Sequence, residues 1–331
     1  MGQLGHTNSV SSRLAPGGRA NGSAPEPPKQ ENTGSLTYVL ITPARNEAAL
    51  IGETIQSVIA QTRRPAKWVI VSDGSTDDTD AVVAKYAAGH SWIELVRTPD
   101  RKERHFAGKV HAFNLGYARV QDTPYDVIGN LDADITFDPN YFACLLSRFA
   151  ENPRLGVAGT PFQEENRQCV YRFVSAEHVS GACQLFRRNC FEEIGGYLPI
   201  KSGGIDLTAV ITARMKGWQT RSFTDTTCFH HRAQGSAQHG ALTGAFKGGR
   251  ADFLLGCDPT WQVLRSLYRV VSSKPFLLNG AFCLAGYVWG KLCGEKRSIP
   301  PDVVRFRRME ERHRLRLLFK RTIFHSLRSS S

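Results

Sequence analysis

Between Tyr38 and Leu131, short apolar runs alternate with stretches of helical spacing, and this alternation leaves the chain few folds to choose from. Tyr38-Val39-Leu40-Ile41 reads as a strand and Glu47 to Ala60 as a helix. Trp68-Val69-Ile70-Val71 is the next strand and Asp80 to Ala88 the next helix. Trp92 to Val96 follows as a strand, Val110 to Val120 as a helix and Tyr125 to Leu131 as a fourth strand. Unbroken apolar runs of this length suit strands covered on both faces, and strands alternating with helices imply an α/β fold with a mostly parallel sheet sandwiched by helices. In such a sheet a ligand crevice opens outside the carboxyl ends of the strands. Polar residues at those ends therefore carry the functional reading.

Outside this region the composition changes. Residues 1–34 are rich in Gly, Pro, Ser and Asn, cannot bury enough apolar surface to offset ordering entropy, and read as disordered. They lack the apolar stretch of a secretory signal, and His6 stands where a myristoylation signal wants Ser or Thr. Of the formal charge of +12, a net +8 lies from Lys291 onward, where 12 Lys/Arg face 4 Asp/Glu. Such a bias seeks an anionic surface, either acidic lipid or nucleic acid. Beyond Pro301, Val304, Phe306, Leu315, Leu318, Phe319 and Ile323 interleave with arginines, a basic amphipathic pattern of the membrane-surface kind. Pro275 to Gly290 carries no charge but is short for a span, which needs about 20 residues. The eight cysteines form no C-x-x-C pair, which argues against a zinc or redox motif and suits a reducing compartment. The division expected is a disordered segment at 1–34, a catalytic domain at 35–235 and a helical, basic C-terminal region at 236–331.

Three strand ends carry candidate chemistry. The first closes in Pro43-Ala44-Arg45-Asn46-Glu47, a turn that opens a helix. The second closes in Asp73-Gly74-Ser75-Thr76-Asp77, where Gly74 permits a tight turn and Asp73 can accept hydrogen bonds from a base or sugar. The fourth closes in Asp132-Ala133-Asp134. Two carboxylates so close repel one another unless a cation intervenes, and hard divalent ions bind substrate phosphates beside such pairs. Read singly, each could be a capped turn or a solvated acidic loop.

Taken in order, these motifs resemble the inverting family 2 glycosyltransferases, which have the GT-A fold. The resemblance runs from P-x-x-N-E and D-G-S-T-D through Lys109-Val110-His111-Ala112-Phe113-Asn114-Leu115-Gly116 to Asp132-Ala133-Asp134. It continues at Gly181 to Arg188 and Ile194-Gly195-Gly196-Tyr197. Where the family has an E-D pair before a helix ending near G-W, this chain has Ile205-Asp206 and Gly217-Trp218, so the Glu is replaced.

The resemblance implies a nucleotide-diphosphate sugar held by Pro43, Ala44, Arg45, Glu47, Asp73 and Lys109, with Arg232 and Asp132 near its phosphates. It implies Mn²⁺ or Mg²⁺ on Asp132 and Asp134, with a further ligand from Phe229-His230-His231-Arg232, where either histidine could serve and His231 is the one expected, and Asp206 as the base for an acceptor hydroxyl. A saccharide or lipid-linked saccharide acceptor at the cytoplasmic face of an anionic membrane is the expected setting. A polyprenyl-phosphate glycosyltransferase is the nearest alternative, although its anionic acceptor would leave Asp206 idle. A nucleotidyltransferase would want a Gly-rich, Arg-containing first loop. A nucleic-acid-binding module would want basic residues and aromatics on the sheet, whereas here the charge lies in the tail, so no nucleic-acid partner is expected.

Overall fold

A computed structural model describes residues 36–99, 106–164, 167–168, 175–232 and 240–328. The segment expected to be disordered, up to Gly34, lies outside them. The first half runs β1 (Tyr38–Ala44), α1 (Ile51–Ile59), β2 (Lys67–Asp73), α2 (Thr79–Gly89), β3 (Ile93–Thr98), α3 (Phe106–Val120), β4 (Val127–Leu131), β5 (Ile135–Phe137) and α4 (Tyr141–Glu151). Then come β6 (Leu155–Gly159), β7 (Phe162–Glu164), β8 (Arg167–Gln168), β9 (Cys183–Arg187), α5 (Arg188–Glu193), α6 (Ile205–Met215), β10 (Gln219–Ser222) and β11 (Cys228–His230). Four helices follow: α7 (Ala241–Leu254), α8 (Pro259–Ser272), α9 (Leu278–Leu292) and α10 (Pro301–Arg328).

The central sheet has seven strands in the order β10-β6-β9-β4-β1-β2-β3. All neighbours are parallel except β9, which runs antiparallel to both β4 and β6. Alternate residues of a strand point to opposite faces, and here they feed two cores. Tyr38, Leu40, Trp68 and Ile70 pack under α1, α2 and α4, against Ile55, Val83 and Phe142. Val39, Ile41, Val69 and Val71 pack on the other side, against Val110 and Phe113 of α3. The expected mostly parallel sheet sandwiched by helices is therefore present, and its apolar runs are continuous because both faces are covered.

Two boundaries differ from the sequence expectation. β1 extends through Pro43 to Ala44. Its pairing with β4 ends at Ile41, so a residue without an N–H is tolerated beyond that point. α1 begins at Ile51 rather than Glu47, because Asn46 takes a left-handed φ of 55° and the next residues form a turn. The chain reverses from β1 to β2 and β3 on one side and to β4 on the other, so a crevice opens at the carboxyl ends of β1 and β4. A smaller sheet, β5-β11-β7-β8, borders it.

The C-terminal helices pack at close range. A Cβ on Gly249 of α7 would overlap the Cys283 carbonyl of α9, and one on Gly286 would overlap the Phe246 carbonyl, so both positions need glycine for the backbones to meet. α10 is basic, but Arg307 and Glu311 are buried while Met309, Leu317 and Leu318 are exposed, so its charged and apolar residues do not separate into the two faces expected, and several of its arginines bond to other parts of the chain. Arg307 pairs with Glu311 at 2.9 Å and donates to the Leu255 carbonyl at 2.7 Å. Arg308 reaches the Gly256 carbonyl, Arg312 pairs with Asp258 at 2.7 Å and Arg314 with Glu177 at 3.0 Å. Arg214 of α6 clamps Glu310 of α10 with two bonds, of 2.6 and 2.8 Å. Part of the charge that the sequence assigns to a membrane surface is thus used to fasten α10 to the protein. No helix among the described residues is long and apolar enough to cross a membrane.

Asp258 joins these helices. Its carboxylate is buried, caps α8 by accepting from the Thr260 amide at 2.9 Å and meets Arg312, while its own amide donates to Glu311 at 2.6 Å. Burial acts to raise its pKa, but the Thr260 and Arg312 hydrogen bonds outweigh burial and hold it below the ordinary 3.8. A carboxyl lowered on folding stabilises fully above its unfolded value and loses that contribution as pH falls through the folded value. Asp258→Ala is expected to cost about 1–3 kcal/mol in chemical denaturation at neutral pH. The gap between variant and wild type should narrow below pH 3.8.

Candidate active site

The first two strand ends are stitched into one platform. The Asn46 amide donates to Ser75 Oγ at 3.2 Å, and Asn46 Oδ1 accepts from the Thr76 amide at 2.8 Å. The Glu47 amide donates to Thr79 Oγ1 at 2.8 Å and the Ala48 amide to Asp77 at 3.1 Å. Asp77 also accepts from the Thr79 amide at 3.0 Å. The D-G-S-T-D turn therefore fixes the conformation of the loop carrying Arg45 and Glu47. Asp73 is half-buried at the end of β2, opposite Thr98 of β3, with Thr98 Oγ1 3.4 Å from its carboxylate. Pro43 and Ala44 line the same edge, at the end of β1.

β4 delivers Asp132 and Asp134 beside this platform. β11 pairs antiparallel with β5, bringing His230 opposite Ile135 and so against the turn that carries both acids. His230 Nε2 lies 3.6 Å from Asp134 Oδ1, and both residues are buried. Among the described residues, one ligand atom each from Asp132, Asp134 and His230 lies within 4.8 Å of the others. Two carboxylates and an imidazole form a donor set suited to a divalent ion. The expected ligand His231 is directed elsewhere. Its Nε2 meets Thr136 Oγ1 at 2.8 Å and lies 3.9 Å from Glu53, and its amide donates to the Asp134 carbonyl at 3.0 Å. His230, the other histidine of the pair, is the one that lies beside the acids, and His231 supports the turn. The sequence held the signal: on a strand through Cys228-Phe229-His230, residues 228 and 230 share one face, and both are buried while Phe229 is exposed.

Lys109, from α3, is hydrogen-bonded to Asp132. Burial lowers its pKa, but Asp132 first, then Asp206 and Asp134, raise it above the ordinary value, so the ammonium stays charged. Burial lifts the Asp132 carboxyl against the pull of Lys109, and Asp134 adds to the lift. Arg232 approaches Asp134 at 4.0 Å and grips Glu47 with two bonds, of 3.0 and 2.6 Å. Glu47 and Arg232, both expected at the nucleotide, thus join the first loop to the end of β11.

Asp206 stands in the first turn of α6, where the helix dipole favours a carboxylate. It is not the cap, a position taken by Gly204 at φ 82°. A Cβ on Gly181 would sit 2.9–3.0 Å from the Asp206 Cβ, Cγ and Oδ2, so the side chain rests against bare backbone. That backbone also holds the metal-site strand: Asn130 Nδ2 donates to the Gly181 carbonyl at 2.8 Å and the Asp132 amide to Ala182 at 2.9 Å. Asp206 and Asp132 are therefore registered against each other through Gly181 and Ala182. His178 also senses Asp206; burial lowers its pKa, Asp206 opposes, and Arg214 adds to the lowering. Single-residue reading missed Asn46, Asp77, Thr79 and Gly181, since each acts by positioning another residue.

Solved structures share this architecture. A mannosyltransferase from Pyrobaculum calidifontis, solved with GDP-Man and Mn²⁺, superposes with a TM-score of 0.56 at 17% identity, over 78% of this chain and 88% of that one. GalNAc-T7, solved with UDP, GalNAc and Mn²⁺, gives 0.51 at 13% identity, over 81% and 59%. In sequence, the chain is similar to poly-beta-1,6-N-acetyl-D-glucosamine synthases. The Staphylococcus aureus protein is 27% identical over 44% of this chain and 33% of its own length. The Staphylococcus epidermidis protein is 22% identical over 45% and 39%. The chain thus spans well under half the length of these curated relatives. Residues 39–168 match the family model described as Glycosyl transferase family 2, so that part of the chain carries a family 2 glycosyltransferase domain, and the sheet has the GT-A fold.

Proposed function

We propose that the protein transfers a sugar, with inversion, from a nucleotide-diphosphate sugar to a hydroxyl of a saccharide or lipid-linked saccharide. The observation that carries this reading is the Asp132-Asp134-His230 donor set with Lys109 bonded to Asp132. The activity of the poly-beta-1,6-N-acetyl-D-glucosamine synthases favours a hexosyl or N-acetylhexosaminyl donor and a polysaccharide or glycoconjugate product. The setting proposed is the cytoplasmic face of an anionic membrane.

In this reading Pro43, Ala44, Arg45, Glu47 and Asp73 hold the nucleoside, and Arg232 and Lys109 lie toward the diphosphate. Asp132, Asp134 and His230 would hold Mn²⁺ or Mg²⁺, which when bound supplies Lewis-acid neutralisation of the leaving diphosphate. Asp206 accepts the proton of the attacking hydroxyl as the new glycosidic bond forms and the bond to the diphosphate oxygen breaks. Transfer to a polyprenyl phosphate is the second reading; its acceptor is already an anion and has no proton to give up.

Chelation should abolish donor turnover, and Mn²⁺ should restore it. Asp134→Ala and His230→Ala should each remove Mn²⁺-stimulated nucleotide binding in calorimetry while melting near wild type; unchanged binding in chelator would sink the metal assignment. Asp206→Asn should lower turnover by about 10²–10⁴-fold with donor affinity intact. Gly181→Ala should act in the same direction more mildly, because its new methyl displaces Asp206. Normal transfer by folded Asp206→Asn would instead favour the phosphate acceptor.

A further inference from the structure

The face of the protein least compatible with water lies far along the chain from the acids. Of the 15 large apolar residues exposed among the described residues, 10 fall between Val263 and Leu292. On α8 they form one stripe, Val263, Leu267 and Val271, at four-residue intervals. On α9 Leu278, Phe282, Trp289 and Leu292 repeat at helical spacing. Phe276 and Leu277, at the tip between the two helices, are 55% and 68% exposed. A patch of this continuity marks an interaction surface.

Its occupant follows from charge. From Pro259 to Gly294 the sequence has no Asp or Glu. Arg265 is turned inward to Asp252 and Arg269 to Cys283, whereas Lys274 at the tip and Lys291 near the end of α9 are exposed. A two-fold contact between copies of this face would set these lysines against a segment with no carboxylate to receive them. An anionic lipid headgroup layer receives them, while acyl chains receive the apolar stripes and Trp289 suits the boundary between the two. α9 has 15 residues, or about 22 Å, against a hydrocarbon core of about 30 Å, so the pair of helices would lie in one leaflet.

We propose that the α8–α9 hairpin is a membrane wedge that inserts into an anionic leaflet, with α10 as its internal brace rather than the lipid-binding helix. This deepens the membrane setting proposed above by naming the inserted face. The test is flotation of the full chain with phosphatidylcholine vesicles containing phosphatidylglycerol, beside Mn²⁺-dependent nucleotide binding as a check on the folded site. The double substitution Leu277→Ser/Leu278→Ser should reduce vesicle partitioning by about tenfold or more. Lys274→Gln/Lys291→Gln should reduce it less, and chiefly at low salt, while Arg305→Gln/Arg316→Gln on α10 should have little effect. Nucleotide binding should be unchanged in all three. Wild-type levels of flotation in the Leu277/Leu278 variant would overturn the wedge while leaving the membrane setting intact. No flotation of wild type would overturn both. A wild-type dimer in sedimentation that the same variant dissociates, without vesicle binding, would assign the face to a second copy.

Discussion

Two carboxylates are held beside an imidazole at one strand end, and their mutual repulsion is the constraint around which the site is arranged. At the 4.8 Å limit within which their ligand atoms gather, two like charges repel by about 3 kcal/mol at an effective dielectric of about 20. The fold answers with fixed cations. Lys109 reaches across from α3 to Asp132 and senses Asp206 and Asp134, and Arg232 comes from the end of β11 toward Asp134 while holding Glu47. A site arranged in this way is primed for the negative charge of a diphosphate and for a divalent ion, because its acids are already held in position before either arrives.

That arrangement relies on backbone more than on side chains. Gly181 and Ala182 are bonded to Asn130 and Asp132 on one side, and Gly181 is pressed by Asp206 on the other, so the spacing between proposed metal acid and proposed base is set by the antiparallel pairing of β9 with β4. The first loop is held likewise. Asn46, Glu47 and Ala48 are bound amide by amide to Ser75, Asp77 and Thr79, so the two loops can move only as one piece.

The C-terminal helices solve a different problem. The backbones of α7 and α9 approach through Gly249 and Gly286. Asp258, Arg307 and Glu311 are all buried, yet each is hydrogen-bonded to another part of the bundle. Buried charges are tolerable only when paired in this way. The consequence is that part of the charge of α10, the most basic helix, is committed to the bundle, and most of the exposed large apolar side chains lie on α8, α9 and the tip between them.

The sequence by itself determined the sheet and the positions of most of the chemistry. Unbroken apolar runs such as Trp68–Val71 require cover on both faces, and a carboxylate that follows such a run must emerge at its carboxyl end; Asp73, Asp132 and Asp134 were legible for that reason. The motif order that carried Lys109 and Asp206 was legible as a resemblance, though not as geometry. Only the tertiary structure decided which histidine joins the acids, because that choice depends on the antiparallel register of His230 with Ile135, a pairing between residues almost a hundred positions apart. It alone decided that Gly181 backs Asp206 and that Arg307, Arg308, Arg312 and Arg314 bond to other parts of the chain. Helical periodicity identifies a face of α10 but not what lies against it. A local pattern fixes which side of an element a residue occupies; contact across the chain fixes what that side meets.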